Sequence, residues 1–290
     1  MKYAYYPGCS AESTAKDMHE SSLAVAKVLG IEMIEPKGWT CCGATAGHQT
    51  DQVLAAALPA ANLLKVQDMG MDMIVNCAAC YNRMKTANYK AVNDSDIREK
   101  VSDALERDYD GSVNVKHFME VLLEDVGLEK IKGSITRSLN GLKVACYYGC
   151  LLVRPHEVTG FDDPENPTSL DKLVETMGGD ALDWPHKVEC CGGGLSLSRT
   201  DVVVKLTETI LDMAKASGAE CIVVSCPMCQ INLDLRQQDI AKLSSKKFDM
   251  PIIYVTQLLG LCFGISPKKL GLSKLMVSPE KIVKAISEVA

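Results

Sequence analysis

The sequence predicts an α/β protein of two tandem, pseudo-symmetric repeats, each a small, mostly parallel sheet flanked by helices with cysteines at the strand carboxyl ends. Three observations carry this. First, Lys2-Tyr-Ala-Tyr-Tyr-Pro-Gly-Cys9 aligns with Lys143-Val-Ala-Cys-Tyr-Tyr-Gly-Cys150, Cys41-Cys42-Gly43 with Cys190-Cys191-Gly192, and Cys77-x-x-Cys80 with Cys226-x-x-Cys229. Second, 34 residues separate the double cysteine from the CxxC in each half, while the stretch before it is 31 residues in one and 39 in the other. Third, strand-like and helix-like segments alternate between these markers, the pattern of a parallel sheet whose ligands gather at one edge.

Each repeat opens with a short strand ending in Gly-Cys. A helix over 14–29 follows and stops at Gly30; its counterpart over 169–177 stops at Gly178, since glycine takes the left-handed conformation that closes a helix. A second pair of helices, over 51–67 and 201–217, follows the double cysteines. Met73-Ile-Val and Ile222-Val-Val are apolar runs of strand length that deliver the CxxC groups. Between 127 and 141, Gly133, Ser134, Ser138 and Asn140 interrupt the periodicity, which divides the chain into cluster-binding domains over 1–135 and 136–290.

A chain of 290 residues with 47% hydrophobic and 23% charged content has material for two cores and is not a disordered one. A net charge of -6 gives no basic field for nucleic acid. The opening MKYAYYPGCS lacks the features of a secretory signal, and no run approaches the ~20 apolar residues that span a bilayer. The expectation is a soluble, cytoplasmic protein, in which 13 cysteines point to metal or redox chemistry rather than to disulfides.

A CxxC alone serves thioredoxin-like sites, zinc ribbons and iron–sulfur sites. A thioredoxin-like site leaves six patterned cysteines without a role. A structural zinc takes four ligands, whereas each half repeats five thiols and no histidine; zinc in one half stays open as an alternative. Iron–sulfur clusters are also normally held by four thiolates. A fifth makes sense if the adjacent Cys41 and Cys42, or Cys190 and Cys191, reach neighbouring irons with one sulfur bridging, which favours a polynuclear, noncubane cluster. Gly43 and Gly192-Gly193-Gly194 permit positive φ and bring backbone N–H groups close to such a cluster.

On these residues the chain resembles the family built on the cysteine-rich CCG domain in two tandem copies. With YYPGC, CLLVRP and DDPENPTSLDKLV, and without a ferredoxin module, it looks most like the B subunits of heterodisulfide reductases. The resemblance implies one noncubane 4Fe-4S cluster on Cys9, Cys41, Cys42, Cys77 and Cys80 and another on Cys150, Cys190, Cys191, Cys226 and Cys229. It implies reduction of the coenzyme M–coenzyme B disulfide between the clusters during methanogenesis. The partners it implies are the ferredoxin-like C subunit and the flavin-containing A subunit of the reductase complex, with a hydrogenase or formate dehydrogenase beyond them. An alternative within the family is an electron-transfer subunit of a glycolate, lactate or quinone-linked oxidoreductase; a third reading, of another class, is a zinc-stabilised scaffold.

Among single residues, His48 is a candidate proton donor, although Leu197 stands in its place in the second repeat. Arg83, Arg154 and Arg199 lie near cluster motifs and are candidates to bind an anionic substrate. Cys146, Cys221 and Cys262 have no counterparts and read as buried small hydrophobes. His117 reads as a packing or capping residue, Trp39 and Trp184 as core or as shields of the clusters. The acidic, proline-containing loop over 156–168 is the expected substrate rim or partner contact.

Overall fold

Short apolar strands between amphipathic helices collapse here into two sheets of one pattern. The computed structural model describes residues 1–44 and 46–288. β1 (Lys2–Tyr6), β2 (Glu32–Ile34), β3 (Met73–Val75) and β4 (Val115–His117) form a sheet in the order β2-β1-β3-β4, with every pair parallel. β5 (Arg137–Ser138) leads into the second half, where β6 (Lys143–Tyr147), β7 (Asp180–Ala181), β8 (Cys221–Val224) and β9 (Ile252–Tyr254) repeat the arrangement as β7-β6-β8-β9. β10 (Ser287–Glu288) pairs antiparallel with β5. Apart from Lys2 and Lys143, which open β1 and β6, every residue of the central strands β1, β3, β6 and β8 is buried, as strands covered by helices on both faces must be.

The expected helices are present with shifted ends. Lys16–Leu29 closes on Gly30 at φ +72°, its N–H bonded to the carbonyls of Ala26 and Lys27. Its counterpart is Ser169–Thr176, with Gly178 at φ +80° just beyond. Gln52–Met69 and Thr200–Ala216 follow the double cysteines, and Ala78–Asn93 and Pro227–Leu243 start directly after Cys77 and Cys226. No helix among the described residues is long and apolar enough to cross a membrane.

The halves interlock rather than sit side by side. Helix Lys16–Leu29 of the first packs on Val255–Cys262 of the second, and Leu128–Gly133 of the first packs on Ser169–Thr176. On the former seam, Ser21 Oγ and Thr256 Oγ1 lie 2.7 Å apart, and Gln257 Nε2 donates to Asp17 Oδ2 at 3.1 Å. The loop read as a rim instead straps the halves together. Its short helix His156–Thr159 packs on Ala78–Asn93, where Tyr81 donates its hydroxyl hydrogen to the Thr159 carbonyl at 3.0 Å. One continuous apolar core runs through both halves.

Candidate functional site

Each half builds its cysteine group with the same devices. Tyr6 and Tyr147 end β1 and β6, and their hydroxyls donate to the carbonyls of Thr40 at 2.7 Å and Glu189 at 2.5 Å, the residues just before each double cysteine. That bond latches the double-cysteine loop to the strand end. Gly8 and Gly149, at φ +73° and +66°, carry Cys9 and Cys150. A Cβ would fall 3.3 Å from Cys80 Sγ at Gly8 and 2.9 Å from Cys229 Sγ at Gly149, so only glycine lets the strand end approach the CxxC. Cys77 and Cys226 are the N-cap residues of their helices, which places Cys80 and Cys229 within the first turn.

The sulfurs gather accordingly. Cys42 and Cys80 stand 3.2 Å apart, Cys191 and Cys229 3.7 Å. The N–H of Gly43 meets Cys41 Sγ at 3.4 Å and that of Gly192 meets Cys190 Sγ at 3.3 Å, at φ +74° and +76°. Cys77 and Cys226, one from each half, lie on the wall of the same cavity. All ten patterned cysteines line one cavity of about 230 Å³. Among the described residues no three ligating side chains converge on a point for a single ion; the thiols are spread around the wall.

These thiols share protons unevenly. The closeness of Cys41 and Cys80 draws the Cys42 thiol down, and the same pairing with Cys42 pushes Cys41 up. A bond from Cys150, helped by the N–H groups of Gly192 and Gly193, brings Cys190 down to about 6, and Cys150 is pushed up in turn. Cys226 is drawn down by Cys229 and Cys77, while bonding to neighbouring thiols pushes Cys77, Cys80 and Cys229 up. So many thiols could all ionise only around a cationic group that neutralises them. The donor set fits an iron–sulfur group: sulfurs on one wall, N–H groups aimed at sulfur, and glycine gaps beside Cys80 and Cys229.

Of the other candidates, His48 and Arg83 line the cavity. His48 Nδ1 is buried without a hydrogen-bond partner, and Leu197, its counterpart, is 99% exposed. Arg154 turns to the strap, its Nε donating to the Pro164 carbonyl at 2.8 Å and its Nη2 pairing with Glu165 at 2.8 Å. Arg199 is exposed and pairs with Asp201. Cys146, Cys221 and Cys262 are fully buried. Trp39 packs edge-on against Tyr6, and Trp184, buried, donates to the Cys146 carbonyl at 3.0 Å. His117 caps the helix after β4: its Nδ1 accepts from the Met119 N–H, and its Nε2 lies 2.9 Å from the Asn76 carbonyl.

Two features escaped the sequence reading. Asn232, the repeat counterpart of Arg83, donates from Nδ2 to the Cys191 carbonyl at 2.9 Å and faces its Sγ at 3.7 Å; the alignment of the repeats carries the signal. Lys187 and Asp171, both buried, pair at 2.7 Å, and the Tyr148 hydroxyl hydrogen-bonds to Asp171. Nothing in the sequence joins residues on a loop, a helix and a strand end.

Comparison with known proteins agrees with the repeat. The cysteine-rich domain family, CCG, matches residues 3–85 and 144–234. A protein of Wolinella succinogenes, the membrane anchor of its 8-methylmenaquinol:fumarate reductase, is 32% identical over 97% of this chain and 99% of its own. A protein of Archaeoglobus profundus, described as like the B subunit of heterodisulfide reductase, is 31% identical over 99% of each chain. The B subunit of the ferredoxin/F(420)H(2)-dependent CoB-CoM heterodisulfide reductase of Methanosarcina acetivorans is 28% identical over 100% of this chain and 98% of its own. The crystal structure of a hypothetical protein from Helicobacter pylori shares the fold, with a TM-score of 0.73 over 96% of this chain and 52% of that one at 10% identity. With the ten-cysteine cavity and this full-length likeness together, the chain belongs to the cysteine-rich CCG domain family of iron–sulfur oxidoreductases, beside the B subunits of heterodisulfide reductases.

Proposed function

We propose that the chain is the disulfide-reducing component of a heterodisulfide reductase complex. In this reading Cys9, Cys41, Cys42, Cys77 and Cys80 hold one noncubane 4Fe-4S cluster, and Cys150, Cys190, Cys191, Cys226 and Cys229 hold the other. The observation that carries it is the single cavity onto which both five-cysteine groups open. Reducing one S–S bond to two thiols consumes two electrons and two protons. A cluster held by each five-cysteine group would supply one of the two electrons when bound.

The chain's own residues provide the rest. Arg83 is a cation on the wall, suited to an anionic group on the substrate. His48 sets a ring nitrogen at the same wall, within the chemistry of returning a proton to a departing thiolate. Ala44, Ala78, Ala79, Leu151 and Met228 add apolar surface to the wall between the sulfurs. The substrate proposed is the coenzyme B–coenzyme M disulfide, for which a relative is named. Electrons arrive through ferredoxin-like and flavin-containing partner proteins, coupled to a hydrogenase or formate dehydrogenase, in the cytoplasm.

A second reading draws on the relative named for menaquinol:fumarate reduction: an electron-transfer component of a quinone-linked oxidoreductase. Iron, acid-labile sulfide and zinc per chain, measured on anaerobically purified protein, come first. About eight irons with matching sulfide support two four-iron clusters; four irons with one zinc remove the symmetric mechanism. Thiol release from the disulfide with a reduced viologen as donor then supports the reductase. Clusters that a quinone reoxidises and the disulfide does not would favour the second reading.

A further inference from the structure

The helices Ala78–Asn93 and Pro227–Leu243 start alike, but three residues past each CxxC the repeat breaks: Arg83 stands where Asn232 stands in the other half. Asn232 is 1% exposed and tied down, its Nδ2 on the Cys191 carbonyl and its Oδ1 accepting from Ser196 Oγ at 2.8 Å. Arg83 lines the cavity with Cys42. Burial lowers its pKa, and attraction to the Cys42 sulfur opposes that. Its position is set from across the seam. Nη2 donates to Asn82 Oδ1 at 2.8 Å, and Asn82 Nδ2 donates to the carbonyls of Leu151 at 3.3 Å and Arg154 at 2.8 Å, in the turn after Cys150.

Of the other charges near the two cysteine groups, Glu189, which precedes Cys190 where the first half has the neutral Thr40, is negative and acts in the same sense as an arginine missing from the second half. A helix N-terminus lies behind each CxxC, so the helix dipoles contribute alike. Lys187, the buried cation three residues before Cys190, is neutralised at 2.7 Å by Asp171. Arg83 is the one arginine or lysine on the cavity wall among the described residues, and no carboxylate lines it.

We propose that the pair Arg83 and Asn232 makes the two centres unequal, the fixed charge of Arg83 holding the first-half centre at the higher reduction potential. A positive charge favours the reduced, more negative state of a thiolate-bound centre, and a neutral amide contributes only its dipole. The first electron then settles on the Cys42 side and the second on the Cys191 side, which gives a symmetric pair of sites an order of filling. Arg83 is here a positioning residue for charge, acting before any substrate arrives. The inference rests on the two-cluster reading above.

The test is a redox titration of the substrate-free, anaerobic holoprotein followed by electron paramagnetic resonance, the centres assigned by the signal lost in Cys9→Ser or Cys150→Ser. The first-half centre should titrate at the higher potential. Arg83→Gln should lower it by the equivalent of at least a tenfold change in oxidised-to-reduced ratio, about 59 mV for one electron, and leave the other in place. Arg83→Lys should retain most of the difference. Asn232→Asp, isosteric, should lower the second-half centre alone. Midpoints that ignore Arg83→Gln, or that move together, overturn the inference and leave the two-cluster reading standing. A variant that changes only KM for the disulfide also overturns it, making Arg83 a substrate clamp. A chain without iron overturns both.

Discussion

The two halves build one cysteine arrangement on different supports, and the difference separates what the site needs from what each half needs. Both keep the tyrosine latch to the carbonyl before the double cysteine, the glycine before the first cysteine, and the glycine N–H on sulfur. What differs is the neighbourhood. The first half reaches its double cysteine through Gly38, at φ +70°, where the second has Lys187 in a buried pair with Asp171 and Tyr148. The first half places His48 and Arg83 on the cavity, and the second has Leu197 out in solvent and Asn232 in the core. The shared features are backbone geometry around sulfur. The divergent ones are charge and support, which a duplicated fold is free to change.

The largest expected effect lies in the support unique to the second half. Lys187→Met leaves Asp171 buried and unpaired, which should cost about 3–5 kcal/mol in a denaturant titration. Replacing Asp171 by Leu as well should recover most of it. A loss within error would mean that the pair is not what holds the second loop. Next come the glycines. Gly149→Ala and Gly8→Ala each force a side chain into the left-handed region, at roughly 1–2 kcal/mol. Gly149→Ala should also displace Cys229, because its Cβ gap is the narrower, 2.9 Å against 3.3 Å. Iron retention should therefore fall further in Gly149→Ala, and equal retention would show the two gaps to be equivalent.

The latches should be the most alike. Tyr6→Phe and Tyr147→Phe each remove one hydrogen bond, about 0.5–1.5 kcal/mol, and unequal losses would break the symmetry drawn here. The smallest effect concerns the seams. Asp17 is buried beside Gln257, and burial raises its pKa above the carboxylate norm. A raised folded pKa means that the folded state binds the proton more tightly. Stability then falls as pH rises from the unfolded value through the folded one, and stays lower above it. Asp17→Asn should remove that slope and modestly raise stability at neutral pH, seen in melting temperatures across pH 4 to 8; an unchanged profile would show that the interlock tolerates the charge.

The fold was legible because its signals are local. Tyr-Tyr before Gly-Cys, apolar triplets before CxxC, and Gly30 and Gly178 as helix stops act through the conformations of a few neighbouring residues. β2 and β7, three and two residues long, were not legible, since such short edge strands carry no period and exist only because a central strand offers hydrogen bonds. The acidic, proline-containing loop over 156–168 read as a rim or partner contact, but the packing of His156–Thr159 on Ala78–Asn93, with Tyr81 bonded to Thr159, 78 residues later, makes it a strap. Of the three arginines near cluster motifs, sequence proximity did not distinguish Arg83 on the cavity wall from Arg154 in the strap and Arg199 in solvent.

By itself, then, the sequence determined two repeats, the parallel sheets and the ten cysteines set apart from the other three, because repetition and strand-end chemistry are written along the chain. Only the tertiary structure decided that both cysteine groups open onto one cavity, that Arg83 and Asn232 face equivalent cysteines with unequal charge, and that Lys187 finds Asp171. The first depends on how the halves pack, Lys16–Leu29 on Val255–Cys262 across more than 200 residues of chain, and the others on side chains that meet within a half from different elements; such packing is settled by the shapes of folded surfaces that no local pattern encodes.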